Sequence, residues 1–144
     1  MKKFILTDET IEMFGVTLHR IKAVRSFGDV KEGDLGGFVE KEENISEHFE
    51  AWVYGNAKVW GDAKVWGDAD YIVFKNWWSS GRYFTWTRSN NMWSVGCFYG
   101  TGEELIKEAY QDSEKSGREY ERVVKFVQSI LEDEKNDNNQ EKHV

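Results

Sequence analysis

Aromatic rings crowd one stretch of the chain: Tyr71, Phe74, Trp77, Trp78, Tyr83, Phe84, Trp86, Trp93, Phe98 and Tyr99, with Lys75, Arg82 and Arg88 set among them. Rings beside cations are the materials for holding a planar anion such as a nucleotide. The ring stacks on the flat part and the cation meets the charge. Trp77, Trp78, Arg82, Trp86 and Arg88 are therefore the candidate ligand- or partner-binding residues. Core and interface packing compete for the same rings. In a strand, Phe84, Trp86 and Arg88 share one face while Tyr83, Thr85 and Thr87 share the other, and one face must be core. Trp77 and Trp78 adjoin a turn, where both rings are not easily buried.

Other chemistry is weaker. Cys97 is the single cysteine, and the histidines are His19, His48 and His143. A lone cysteine in a strand is usually a small buried residue, so no catalytic residue is assigned. Three scattered histidines and one cysteine do not make a zinc site. Gly100 and Gly102 flank a strand-to-helix junction, a place where phosphate can bind. Glu103 and Glu104 already occupy the positive end of that helix dipole, so an ordinary turn is the better reading. No cofactor and no metal are expected.

The chain's 144 residues carry a formal net charge of −7. That charge argues against non-specific nucleic-acid binding. One cysteine excludes a disulfide framework within the chain and suits a reducing compartment. The opening MKKFILTDET has three apolar residues before Thr7 and Asp8, too few for a signal peptide, and no apolar run approaches a membrane span. The cytoplasm is the expected location.

The elements that would position a site begin with a repeat. Val53–Lys58, Val59–Lys64 and Val65–Asp70 are three hexapeptides: VYGNAK, VWGDAK and VWGDAD. A period of six suits the two-residue alternation of strands, and a helix would carry a costly glycine in each repeat. Gly-Asn and Gly-Asp tolerate the positive φ of sharp corners. Each corner offers one carboxylate, unlike the clustered acids of a calcium loop, so the repeat is architecture. It predicts a short left-handed β-helix of about two coils over residues 35–70. Val53, Val59 and Val65, with Ala57, Ala63 and Ala69, point inward, and Gly55, Gly61 and Gly67 turn the corners. An eighteen-residue coil stacks Leu35 on Val53, Val39 on Ala57, Ile45 on Ala63 and Ala51 on Ala69, and places Glu40 beside Lys58. Lys41 and Glu47 break the pattern and mark a bulge or loop.

The second slot, with Tyr54, Trp60 and Trp66, points outward. These rings are covered either by the flanking elements or by other subunits, and as candidate oligomer-interface residues they suggest a dimer or trimer. Residues 1–34 form an N-terminal β cap with a hairpin turning near Phe14-Gly15, Val16 and Leu18 on one face and Ile21 and Ala23 on the other. Residues 71–132 form an antiparallel meander and two helices, the first capped by Thr101 and the second by Ser116 with Glu119. The second helix has an apolar face of Tyr120, Val123, Val124, Val127 and Leu131 expected to pack on the meander. Residues 133–144 form a polar tail expected to be disordered. The fold class is mainly β with C-terminal helices, α+β.

LHRIKAVRSFGDVKEGDLGGFVE followed by WVYGNAKVWGDAKVWGDA resembles small bacteriophage and prophage proteins with GNAxVxGNAxV-type hexapeptides, and WSVGCFYGTGEELIKEAY resembles a module joined to them. The resemblance implies a phage accessory protein that acts by binding a host protein or a small nucleotide-like signal, with antagonism of a bacterial defence system as the most specific role. Two alternatives stay open. Hexapeptide acyltransferases share the repeat and use a histidine with acyl-CoA, but no such motif surrounds His48. A structural or virion role is the other.

Overall fold

The computed structural model describes residues 2–48 and 50–141. Eight strands form two four-stranded sheets, followed by two helices. The strands up to Thr101 belong to one compact unit and the helices from Gly102 to a second. The meander therefore groups with the coil and not with the helices.

The first sheet has the order β1 (Phe4–Met13), β2 (Val16–Ala23), β3 (Leu35–Val39) and β4 (Lys58–Val59). β1 and β2 form the expected hairpin. Phe14 and Gly15 have φ of 53° and 79°, the pair of positive values a two-residue turn requires. The change of face that allows a bulge near Ile21 coincides with a register shift between Arg20 and Lys22 in the β2–β3 pairing, and a second shift lies between Leu6 and Thr10 in the β1–β2 pairing. Leu18 packs with Phe38 and Trp60, while Ile21 and Ala23 enter the main core, so the expected change of face occurs.

β3 and β4 run parallel, with Phe38 opposite Lys58 and Val39 opposite Val59. An isolated parallel bridge joins Ile45 to Val65. The offset is twenty residues, not the expected eighteen. The cause is the break at Lys41: residues Glu42–Asn44 form a 3₁₀ turn that lengthens the circuit. Asn44 is fully buried there and uses all of its side chain. Its Oδ1 accepts from the amides of Glu40 (3.1 Å) and Lys41 (2.9 Å). Its Nδ2 donates to the carbonyls of Gly61 (3.3 Å) and Ala63 (2.8 Å).

The new register changes the neighbours. Val39 and Ile45 lie against Val59 and Val65 instead of alanines, and Leu35 is 57% exposed instead of stacking on Val53. Glu40 does not meet Lys58; its Oε1 accepts from the Gly61 amide at 2.9 Å. Val53, Ala57, Val59, Ala63 and Val65 are buried as expected. Gly55 and Gly61 turn corners at φ of 57° and 65°. Gly67 is extended, at φ −165°, and Ala69 is exposed. The third hexapeptide departs from the first two because Asp70 Oδ2 accepts from the amides of Trp66 and Gly67, bending the chain into a 3₁₀ turn at Asp68–Asp70.

The second sheet is the expected meander of β5 (Tyr71–Lys75), β6 (Tyr83–Thr87), β7 (Met92–Val95) and β8 (Phe98–Gly100), antiparallel in sequence order. Its hydroxyls, with that of Ser89 in the β6–β7 turn, accept from amides of the hexapeptide stretch. Tyr54 N donates to Tyr71 OH, Lys58 N to Thr85 Oγ1, and Lys64 N to Ser89 Oγ. Backbone groups that no strand pairs thus find partners, and both Thr85 and Trp86, on opposite faces of β6, are buried. At the other end, the buried Lys3 ammonium donates to the carbonyls of Ser46 (2.8 Å) and Ala51 (2.6 Å).

In the second unit, α1 (Gly102–Asp112) and α2 (Glu114–Glu141) follow one another closely. Thr101 precedes α1 as expected. α2 is capped by Ser113, whose Oγ accepts from Ser116 N at 3.0 Å; the cap is three residues earlier than the Ser116 expected from sequence. Val124 and Val127 are buried. The helix continues through Glu141, so the described part of the tail is helical rather than disordered; residues 142–144 of the expected tail, with His143, lie outside the described residues. None of the described helices is long and apolar enough to cross a membrane.

Candidate functional site

Strand parity places the site. Val39 and Val59 turn into the core, so Phe38 and Lys58, one residue earlier on each strand, turn outward side by side. Leu18 packs with Phe38 on that outward face, with Ile11 and Met13 of β1 against the same cluster. This face floors a cavity of about 490 Å³. Ile11, Met13, Phe38, Asn56 and Lys58 line it from the first sheet and coil, and Arg82, Tyr83, Gly96 and Cys97 line it from the meander.

The electrostatics of the lining are one-sided. Among the described residues two cations line the cavity and no carboxylate does. Glu40, the nearest candidate by sequence, is engaged with Gly61 N by the twenty-residue register. Neither Lys58 Nζ nor the Arg82 guanidinium has an ion-pair partner among the described residues. Burial lowers the pKa of Lys58 below the usual lysine value, and the Arg82 charge lowers it further. Lys58 is half-buried and Arg82 exposed, so in a chain of net charge −7 the cavity carries a local positive charge that solvent can reach.

Of the five candidate binding residues, Arg82 alone lines the cavity, together with Tyr83 of the aromatic cluster and Cys97. Trp77 is 68% exposed on the turn after β5, with Trp78 half-buried beside it, edge to face at 5.8 Å. Trp86 is 0% exposed and donates through Nε1 to Asn91 Oδ1 at 2.7 Å, leaving no ring face for a surface ligand. Arg88 donates to the Ala69 carbonyl at 2.9 Å and lies 3.9 Å from Asp70, tying β6 to the end of the coil. Trp60 is buried against Tyr99, ring centroids 4.1 Å apart, and donates to Ser94; flanking elements cover this ring. Tyr54 and Trp66 remain exposed. Cys97 is exposed in the β7–β8 turn rather than buried mid-strand. His48 is exposed and is not part of the cavity lining.

Lys58, Phe38, Ile11, Met13 and Asn56 are not among the candidates the sequence offers, and Tyr83 enters there only as one ring of the aromatic cluster. The signal for Lys58 was the irregular hexapeptide at Lys41, which changes the register and removes its apparent partner. Comparison with protein-family models and with curated proteins finds no match.

Proposed function

We propose that the protein acts by binding rather than by catalysis, and that its ligand carries an anionic group received between Lys58 and Arg82. The observation that carries this reading is the pair of uncompensated cations lining one cavity. An anion there relieves their mutual repulsion and supplies the missing counter-charge, so binding energy is available without rearranging a salt bridge. The role implied by the likeness to bacteriophage proteins is compatible with it: an accessory protein in the host cytoplasm that antagonises a bacterial defence system by holding a small signal, nucleotide-like or other, or a host protein. On this reading the scaffold is a rudimentary left-handed β-helix, supported by the buried valine and alanine slots and the parallel register. The exposed rings of Tyr54 and Trp66 suit a contact with a second or third copy.

Calorimetric titration with inorganic pyrophosphate tests the reading. Saturable binding that is weakened in both Lys58→Met and Arg82→Met, with neither variant melting below the wild type, is the expected result. Absence of binding by the wild-type protein at low ionic strength, or binding indifferent to both substitutions, overturns it.

A further inference from the structure

We propose that the anion is amphipathic: a carboxylate or phosphate monoester head on an unbranched apolar chain. This rests on the anion site between Lys58 and Arg82 and adds what the rest of the cavity receives. The site is polarised from one side to the other. Lys58 lies on β4 and Arg82 beside it from the meander, while Ile11 and Met13 lie on β1. The sheet order β1-β2-β3-β4 separates the two ends by three strand spacings, about 14 Å across the sheet. Phe38 of β3 lies between them.

The body of the ligand must match that floor. Ile11, Met13 and Phe38 offer no hydrogen bonds, and methionine adapts its shape to a flexible chain. Asn56 is the one neutral side-chain amide in the lining. A nucleobase carries several donors and acceptors, and burying them against apolar walls would leave them unpaired. Stacking is restricted too, because the Arg20 guanidinium already lies 4.4 Å from the Phe38 ring centre. A methylene chain asks for none of these partners. The head meets the two cations and the chain runs over Phe38 toward Ile11 and Met13.

The test is a calorimetric series of butanoate, hexanoate, octanoate and decanoate, with octyl phosphate, adenosine monophosphate and inorganic pyrophosphate beside them, all kept below micelle formation. Affinity should rise about fourfold for each added methylene, and octyl phosphate should bind more tightly than adenosine monophosphate. Met13→Gln with Ile11→Thr should flatten the chain-length dependence and leave pyrophosphate binding unchanged. Lys58→Met should weaken every member by a similar factor and keep the slope. The two head groups are separated by octanoate against octyl phosphate. If pyrophosphate binds but chain length has no effect, or the mononucleotide binds more tightly than octyl phosphate, the amphipathic ligand is refuted while the anion site stands. If chain length matters but Lys58→Met changes nothing, the head assignment is refuted. If no anion binds, the anion site fails and the amphipathic ligand with it.

Discussion

Replacing Asn44 with alanine removes the staple that sets the twenty-residue offset of the parallel pairings. Four hydrogen bonds disappear together, two accepted by Oδ1 and two donated by Nδ2. Net contributions of about 0.5–1.5 kcal/mol each give a range of about 2–6 kcal/mol. The Gly61 contact, at 3.3 Å, is the longest of the four and belongs at the low end. The amides of Glu40 and Lys41 and the carbonyls of Gly61 and Ala63 lose a buried partner, which keeps the total from being small. About 4 kcal/mol is the expected loss. Urea unfolding followed by tryptophan fluorescence reads it as a midpoint lowered by about 2 M, for a slope near 2 kcal/mol per M. Asn44→Asp retains the two acceptor contacts but loses both donors and sets a charge against two carbonyls, so it should be no milder. A midpoint shift below about 0.5 M for both variants would refute the assignment of the register to Asn44.

Two further outcomes follow from specific contacts. Gly117→Ala should destabilise the helical hairpin by about 1–3 kcal/mol, because a Cβ at Gly117 would penetrate the Tyr110 ring. Alanine's helix propensity favours the substitution by about 1 kcal/mol, so a gain in melting temperature by circular dichroism would show that the ring swings away freely. Lys58→Met should raise the melting temperature at about pH 7, because the half-buried Lys58 side chain is partly desolvated and meets the Arg82 charge. Its folded pKa lies below the unfolded value, so between the two the unfolded chain binds more protons and wild-type stability rises with pH. The advantage of Lys58→Met should therefore shrink as pH rises toward the ordinary lysine range, and an advantage constant with pH would contradict the cause given for the shift.

The hexapeptides were legible because valine, small residue and glycine recur at one spacing, and the structure buries Val53, Ala57, Val59, Ala63 and Val65 accordingly. The hairpin at Phe14-Gly15 and the meander were legible from turn residues and alternation. The register was not, since Asn44 acts through bonds to residues as distant as Ala63, and a local pattern carries no sign of them. The ends of the repeat were hidden for a similar reason: Asp70 competes for the amides of Trp66 and Gly67 and ends the pattern inside what reads as an intact hexapeptide. The site depended on the same two residues of register. Counting eighteen gave Lys58 a carboxylate, and counting twenty takes it away. Aromatic density drew attention to Trp86 and Arg88, which the meander uses for its own packing and anchoring, and it said nothing of Ile11 and Met13, distant in sequence and brought in by the sheet order.

The most direct measurement of the anion site is the side-chain nuclear magnetic resonance of Lys58, assigned by its loss in Lys58→Met, during titration with inorganic pyrophosphate. The Lys58 Nζ signal should move saturably, and its pKa should rise toward the ordinary lysine value as the counter-charge arrives. A Lys58 signal that stays in place while other lysines shift would contradict the site.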